Sequence, residues 1–193
     1  PRVLSNYGAI YKQKGEIKQA INLYKKSIHL FPDSPEAYSN LGNILKDLGD
    51  QEEAEILIRK AIKLNPNLYD AYSNLGNILK DLGRLDEAEL FIRKAISINP
   101  NYVEAYNNLG VLLKQRLKLK EAEKSFFKAL QIDKNYFLSY HNLGLMYFEK
   151  RDYNLAFNYF KTAFKLNPIQ ENNIASLIYA ASYICDFETI REL

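Results

Sequence analysis

The sequence predicts an all-α protein, a solenoid of antiparallel helix pairs with five repeats and one further C-terminal helix. Two observations carry this. The stretch AYSNLGNILKDLG, Ala37 to Gly49, recurs letter for letter from Ala71 to Gly83, 34 residues on. The same offset brings Gly8, Gly42, Gly76, Gly110 and Gly144 into one column, and Ala20, Ala54, Ala88, Ala122 and Ala156 into another. A fixed period of this length is the signature of a repeat array.

Each repeat is numbered here so that the shared glycine is position 8. Positions 4, 7, 8 and 11 then hold Leu4, Tyr7, Gly8 and Tyr11 in the first repeat and Tyr38, Leu41, Gly42 and Leu45 in the second, with equivalents in the rest. At about 100° per residue these positions share one helical face, the buried one. The glycine lets a second helix come close. Gly15, Gly49 and Gly83 follow as helix stops, because glycine accepts a left-handed C-terminal cap without steric cost. Leu117 and Arg151 replace the later ones, so the last two turns are expected to differ in shape.

The second helix carries Ala20, Tyr24 and Ser27, with Ala54, Ile58 and Ala61 and later counterparts. Small and large side chains alternate so that neighbouring helices interlock. Pro32, Pro66, Pro100 and Pro168 close their repeats, since proline cannot continue a helix, and Lys134 is the exception. The boundaries are 1–34, 35–68, 69–102, 103–136 and 137–168, followed by a capping or interface helix and the start of another over 169–193. The unbroken register predicts one elongated body.

Helix pair, period, small-large-small pattern and closing proline together resemble the tetratricopeptide repeat (TPR) family over about 168 residues. Tyrosine stands where that family often has tryptophan. The resemblance implies a right-handed superhelix, with the first helix of each pair lining the concave side, and a protein-protein interaction module.

Positions 2, 6, 9 and 13 lie opposite the buried face and are expected to point into the groove. Position 6 is Asn6, Asn40, Asn74, Asn108 and Asn142, and position 9 adds Asn43 and Asn77. A side-chain amide offers a donor and an acceptor, so it can pair with the N–H and C=O of an extended peptide whatever that residue's side chain. Helices packed about 9 Å apart and a strand rising about 3.3 Å per residue would bring one rung to about every third ligand residue. The same asparagines could instead bond neighbouring helices.

Beside this ladder stand Glu36, Asp70 and Glu104 at position 2, Asp47 and Asp81 at position 13, and Lys46, Lys80 and Lys114 at position 12. The lysines are read as solvated helix-face pairs. Val111, Leu138, Leu145 and Phe148 replace polar residues further on, which suggests an apolar anchor pocket. Self-association or cover by a neighbouring segment is the other reading. The family's chaperone-tail binders place basic residues at positions 2, 5 and 6. Here position 5 is Ser5, Ser39, Ser73, Asn107 and His141, so no carboxylate clamp is expected.

From Glu171 to Ile184 the register continues, with Ile174, Leu177 and Ala181 on the buried side. Ile178 replaces the glycine, and Ala175, Tyr179, Ala180 and Tyr183 make the other faces apolar. A helix apolar nearly all round must be covered on both sides. Ile178, Tyr179 and Tyr183 are therefore the expected interface, met by a second copy in a homodimer or by a continuation of the protein. The run Ile184-Cys185-Asp186-Phe187 resembles the end of the repeat region in protein O-GlcNAc transferases and their bacterial relatives. That resemblance implies a substrate-recruiting arm followed by a glycosyltransferase domain.

Composition narrows the function classes. Of 193 residues 47% are hydrophobic, enough for a sizeable core, and no stretch reads as a membrane span. The net charge of +3 is spread through alternating signs, so no nucleic-acid partner is expected. Lys114, Arg116, Lys118 and Lys120 read as a solvated turn. Cys185, alone, excludes an internal disulfide, fits a reducing, cytoplasmic compartment and is read as a small core residue of the last helix. His29 and His141 lack ligand partners at suitable spacing and no phosphate-binding loop is present, so neither enzyme activity, metal nor cofactor is expected. Starting at Pro1, the chain reads as an excerpt of a longer protein.

Overall fold

The computed structural model describes residues 2–186, and the Phe187 of the O-GlcNAc transferase-like run lies outside them. Eleven helices and no strand occur among the described residues: α1 (Arg2–Gln13), α2 (Ile17–Leu30), α3 (Pro35–Asp47), α4 (Gln51–Leu64), α5 (Tyr69–Asp81), α6 (Leu85–Ile98), α7 (Val103–Gln115), α8 (Leu119–Ile132), α9 (Phe137–Glu149), α10 (Tyr153–Leu166) and α11 (Glu171–Tyr183). The fold is all-α, with helix pairs in series. Two compact units divide the chain, one running to Pro100 and holding α1–α6, the other starting at Asn101 and holding α7–α11.

In the first unit α1 packs on α2, α3 on α4 and α5 on α6, and α1, α3 and α5 lie side by side. The glycine column explains the close pairing. A Cβ on Gly76 would stand 2.4 Å from Ile92 Cγ1, well inside contact distance, so the two helices meet at a separation that only a missing side chain allows. Ala54, Ile58 and Ala61 of α4 are fully buried on the facing side. The buried face of the first helices is wider than the sequence pattern predicts. Position 3 (Ala37, Ala71), position 10 (Ile44, Ile78) and even position 5 (Ser39, Ser73) are buried, because α3 and α5 each touch the preceding pair as well as their own partner. Tyr7, expected on that face, is 54% exposed, since no described helix precedes α1 to cover it.

In the second unit α7 packs on α8, α9 on α10 and α10 on α11. Leu177, Ala180 and Ala181 of α11 join Ala156, Phe157 and Phe160 of α10 in one core cluster, so Ala180 belongs to the buried side rather than to an outer face. Asn173, fully buried, donates from Nδ2 to the carbonyls of Asn167 at 2.8 Å and Ala163 at 3.3 Å. That amide fastens α11 to the end of α10.

The last turns do not differ in shape from the first. Leu117 and Arg151 take φ of 61° and 64°, the left-handed conformation that Gly15, Gly49 and Gly83 hold at 78° to 90°. The hydrogen bonds are also the same: Gly49 N–H reaches Lys46 O and Leu117 N–H reaches Lys114 O. Packing of the helix pair imposes the turn, and the side chains carry the strain. Cys185 falls at the same register, with φ 58° in the turn after α11. It is exposed there rather than a core residue of the helix. With Lys134 in place of proline the turn is unchanged: Asp133 Oδ1 accepts from Asn135 N–H at 2.9 Å, as Asn65 Oδ1 accepts from Asn67 N–H at 3.0 Å around Pro66.

Candidate functional site

The open side of α1, α3 and α5 carries three of the asparagines. Asn6 is exposed, while Asn40 and Asn74 are half-buried. Asn43 and Asn77, one turn on, are also half-buried, and the Asn43 Oδ1 is enclosed without a partner. Asn6 and Asn40 converge on a cleft of about 450 Å³ between α1 and α3, whose other walls are Ser5, Ala9, Asp33, Ser34 and Glu36. The lysines flanking this face are engaged: Lys46 Nζ lies 3.1 Å from Asp47, Lys12 Nζ lies 3.5 Å from the same carboxylate, and Lys80 Nζ lies 3.3 Å from Asp81. The Asp70 carboxyl is pushed above its ordinary range, chiefly by burial, with the charge of Glu36 adding to it against two backbone hydrogen bonds.

In the second unit the asparagines do different work. Asn142 donates from Nδ2 to Asn107 Oδ1 at 2.9 Å, and Ser139 Oγ donates to the same oxygen at 3.1 Å. This rung joins α9 to α7, the helix-bonding alternative left open above. Asn108 is half-buried.

The four apolar candidates are not one pocket. Val111 and Leu138 are half-buried and Leu145 is exposed, whereas Phe148 packs its ring on Tyr153 (5.0 Å), Tyr179 (5.2 Å) and Tyr183 (5.1 Å). Three residues beyond Leu145, Phe148 is turned about 60° round the helix, which brings it under α11. Tyr179 and Tyr183 remain 56% and 47% exposed, their hydroxyls 3.2 Å apart, and Ile178 is exposed beside them.

Sequence reasoning missed Asp33 and Ser34. The signal was a break in the repeat: Asp33-Ser34 stands where Asn67-Leu68, Asn101-Tyr102 and Asn135-Tyr136 stand elsewhere. Among the described residues no helix is long and apolar enough to cross a membrane, and no group of acids, histidines and cysteine could hold a metal ion.

Serial helix pairs with a polar, amide-bearing open face define a protein-interaction fold. Family models for the TPR repeat match residues 8–49, and models for the tetratricopeptide repeat match 35–68, 69–102, 103–136 and 138–170. The chain belongs to the tetratricopeptide repeat family. These matches stop short of Ile184-Cys185-Asp186-Phe187. A search of curated proteins found no match.

Among solved structures, MamA is similar at 27% identity and TM-score 0.66, over 83% of this chain and 94% of that one. The pilF protein of Pseudomonas aeruginosa is similar at 21% identity and TM-score 0.81, over 99% and 87%. YrrB, described as a TPR protein with an unusual peptide-binding site, is similar at 22% identity and TM-score 0.61, over 90% and 89%.

Proposed function

We propose that this chain is a non-catalytic module that binds an extended peptide or unfolded segment along its amide-bearing face. The observation that carries the reading is the state of Asn40 and Asn74. They share one face of α3 and α5, are partly open to solvent, and make no side-chain hydrogen bond among the described residues. Each can pair with a ligand's backbone N–H and C=O together. YrrB's described peptide-binding site, on a similar fold, supports the same reading. Reduced and alkylated ribonuclease, a chain unable to fold, serves as the probe. The Asn40→Ala, Asn74→Ala double variant should bind it about tenfold or more weakly, at about 1 kcal/mol per lost pairing. Unchanged affinity would sink the reading.

A second reading rests on the exposed aromatic face of Tyr179 and Tyr183, which fits self-association through α11. Light scattering over a wide concentration range tests it. A mass of twice 22.4 kDa that is lost on changing both tyrosines to aspartate supports pairing, and a monomer at every concentration removes it.

A further inference from the structure

The cleft between α1 and α3 exists because the repeat pattern breaks there. Ser34 occupies the position that Leu68, Tyr102 and Tyr136 fill with large side chains in the following repeats. At 6% exposure Ser34 is nearly buried. It sits at the N-terminus of α3, yet its hydroxyl makes no capping hydrogen bond and no other side-chain bond among the described residues. The residue lines the cleft, and its hydroxyl is not among the enclosed atoms, so it is free to accept from a ligand there.

Among the described residues the charge lining the cleft is of one sign. Asp33 and Glu36 stand in its wall, and neither has an ion-pair partner among the described residues. Two other acids of the same unit are matched: Glu55 has both Arg59 and Arg84 at 2.8 Å, and Asp47 has two lysines. The charge of Glu36 is felt by the neighbouring Asp70, whose carboxyl it helps to push up.

Two carboxylates, a hydroxyl and two side-chain amides line one cleft, so acceptors are plentiful there. Their complement is a cation with many donors in a fixed plane, which describes a guanidinium, with five N–H groups, better than an ammonium with three. We propose that this cleft receives the guanidinium of an arginine side chain in the extended ligand, with Asp33 and Glu36 supplying the charge and Ser34 an acceptor. The proposal rests on the peptide-binding reading of the amide face and adds a side-chain preference to it.

Amide NMR of the whole chain, titrated with N-acetylarginine methylamide, tests it. N-acetylcitrulline methylamide, of the same shape without charge, is the control. The arginine probe should shift the Ser34 and Asn40 signals saturably, and citrulline should bind at least about tenfold more weakly. Asp33→Asn with Glu36→Gln should erase that preference. Ser34→Leu, which copies Leu68 of the next repeat and so suits the fold, should close the cleft and abolish binding. Equal binding of citrulline, shifts confined to other residues, or binding unaltered in either variant would overturn the proposal. A single-residue probe reads the cleft by itself. Asn74 lies outside the cleft, so Asn74→Ala against unfolded ribonuclease reads the amide face by itself, and the two failures are distinguishable.

Discussion

Asn142 and Asn107 are joined by a hydrogen bond of 2.9 Å from the amide of one to the amide oxygen of the other, across α9 and α7. One member of the asparagine series is therefore a structural tie, while Asn40, at the same register, has no such bond among the described residues. Asn142→Ala should lower stability by about 1 kcal/mol. Asn40→Ala should stay within about 0.5 kcal/mol of the parent. Urea unfolding of the two variants makes the comparison, and equal losses would contradict the division of roles.

Gly110→Ala should be costly. The added Cβ would lie 2.5 Å from Cε1 of Phe126, a fully buried ring with no room to retreat. Overpacking of this kind costs about 1–3 kcal/mol. Phe126→Leu in the Gly110→Ala background should recover part of that loss, and a double-mutant cycle with no coupling would contradict the contact.

Leu117→Gly should stabilise. Leu117 holds φ 61° and is 82% exposed, so little burial is lost by removing its side chain. Relief of about 1–2 kcal/mol of left-handed strain exceeds the extra unfolded-chain entropy of glycine, about 0.5–1 kcal/mol. A rise of roughly 2–4 °C in Tm per kcal/mol gained is the expected calorimetric result. A lower Tm would mean that the turn is not strained.

Acid should weaken the second unit through His141. Burial beside the Phe160 ring, 5.4 Å away, holds its pKa below the ordinary value; the charge of Lys114 adds to this and a contact with Asn173 opposes it. The unfolded histidine takes up a proton near pH 6.5, before the folded one does. Stability therefore falls as pH drops below about 6.5, and levels off once the folded group is protonated. The urea midpoint, followed from about pH 7.5 to 5, should decline less in His141→Gln. Parallel declines would assign the effect to other groups.

The repeat columns made the fold legible, because each column answers to one contact that recurs. Gly76 against Ile92 and Gly110 against Phe126 are the same steric event with different partners. Side-chain identity was a poorer guide where the backbone is dictated from outside. Leu117 and Arg151 read as breaks in the pattern, yet the packed helices on either side force them into the glycine conformation. Cys185 read as core and lies exposed in the same kind of turn.

The candidate site was legible in part. Periodicity put Asn40 and Asn74 on one face, but it could not tell them from Asn142, whose bond depends on Asn107 replacing the serine of earlier repeats. Phe148 matched an anchor by position and was claimed by the tyrosines of α11. The cleft depends on Ser34 being small, which is visible only as a departure from the repeat.

The identity of Ala37–Gly49 with Ala71–Gly83 also bears on how the chain reaches its folded state. α3 and α5 offer nearly interchangeable docking faces, and Ile58 of α4 and Ile92 of α6 approach their glycines in the same way. Side-chain chemistry alone would let α6 dock on α3. What separates the choices is distance along the chain: α4 starts four residues after α3 ends, whereas α6 must close a loop that includes two further helices. The longer closure costs more entropy, and short-range contacts form sooner. Connectivity, rather than recognition between side chains, thus chooses each helix's mate, and a slip by one whole repeat would be a kinetic trap with native-like pairing.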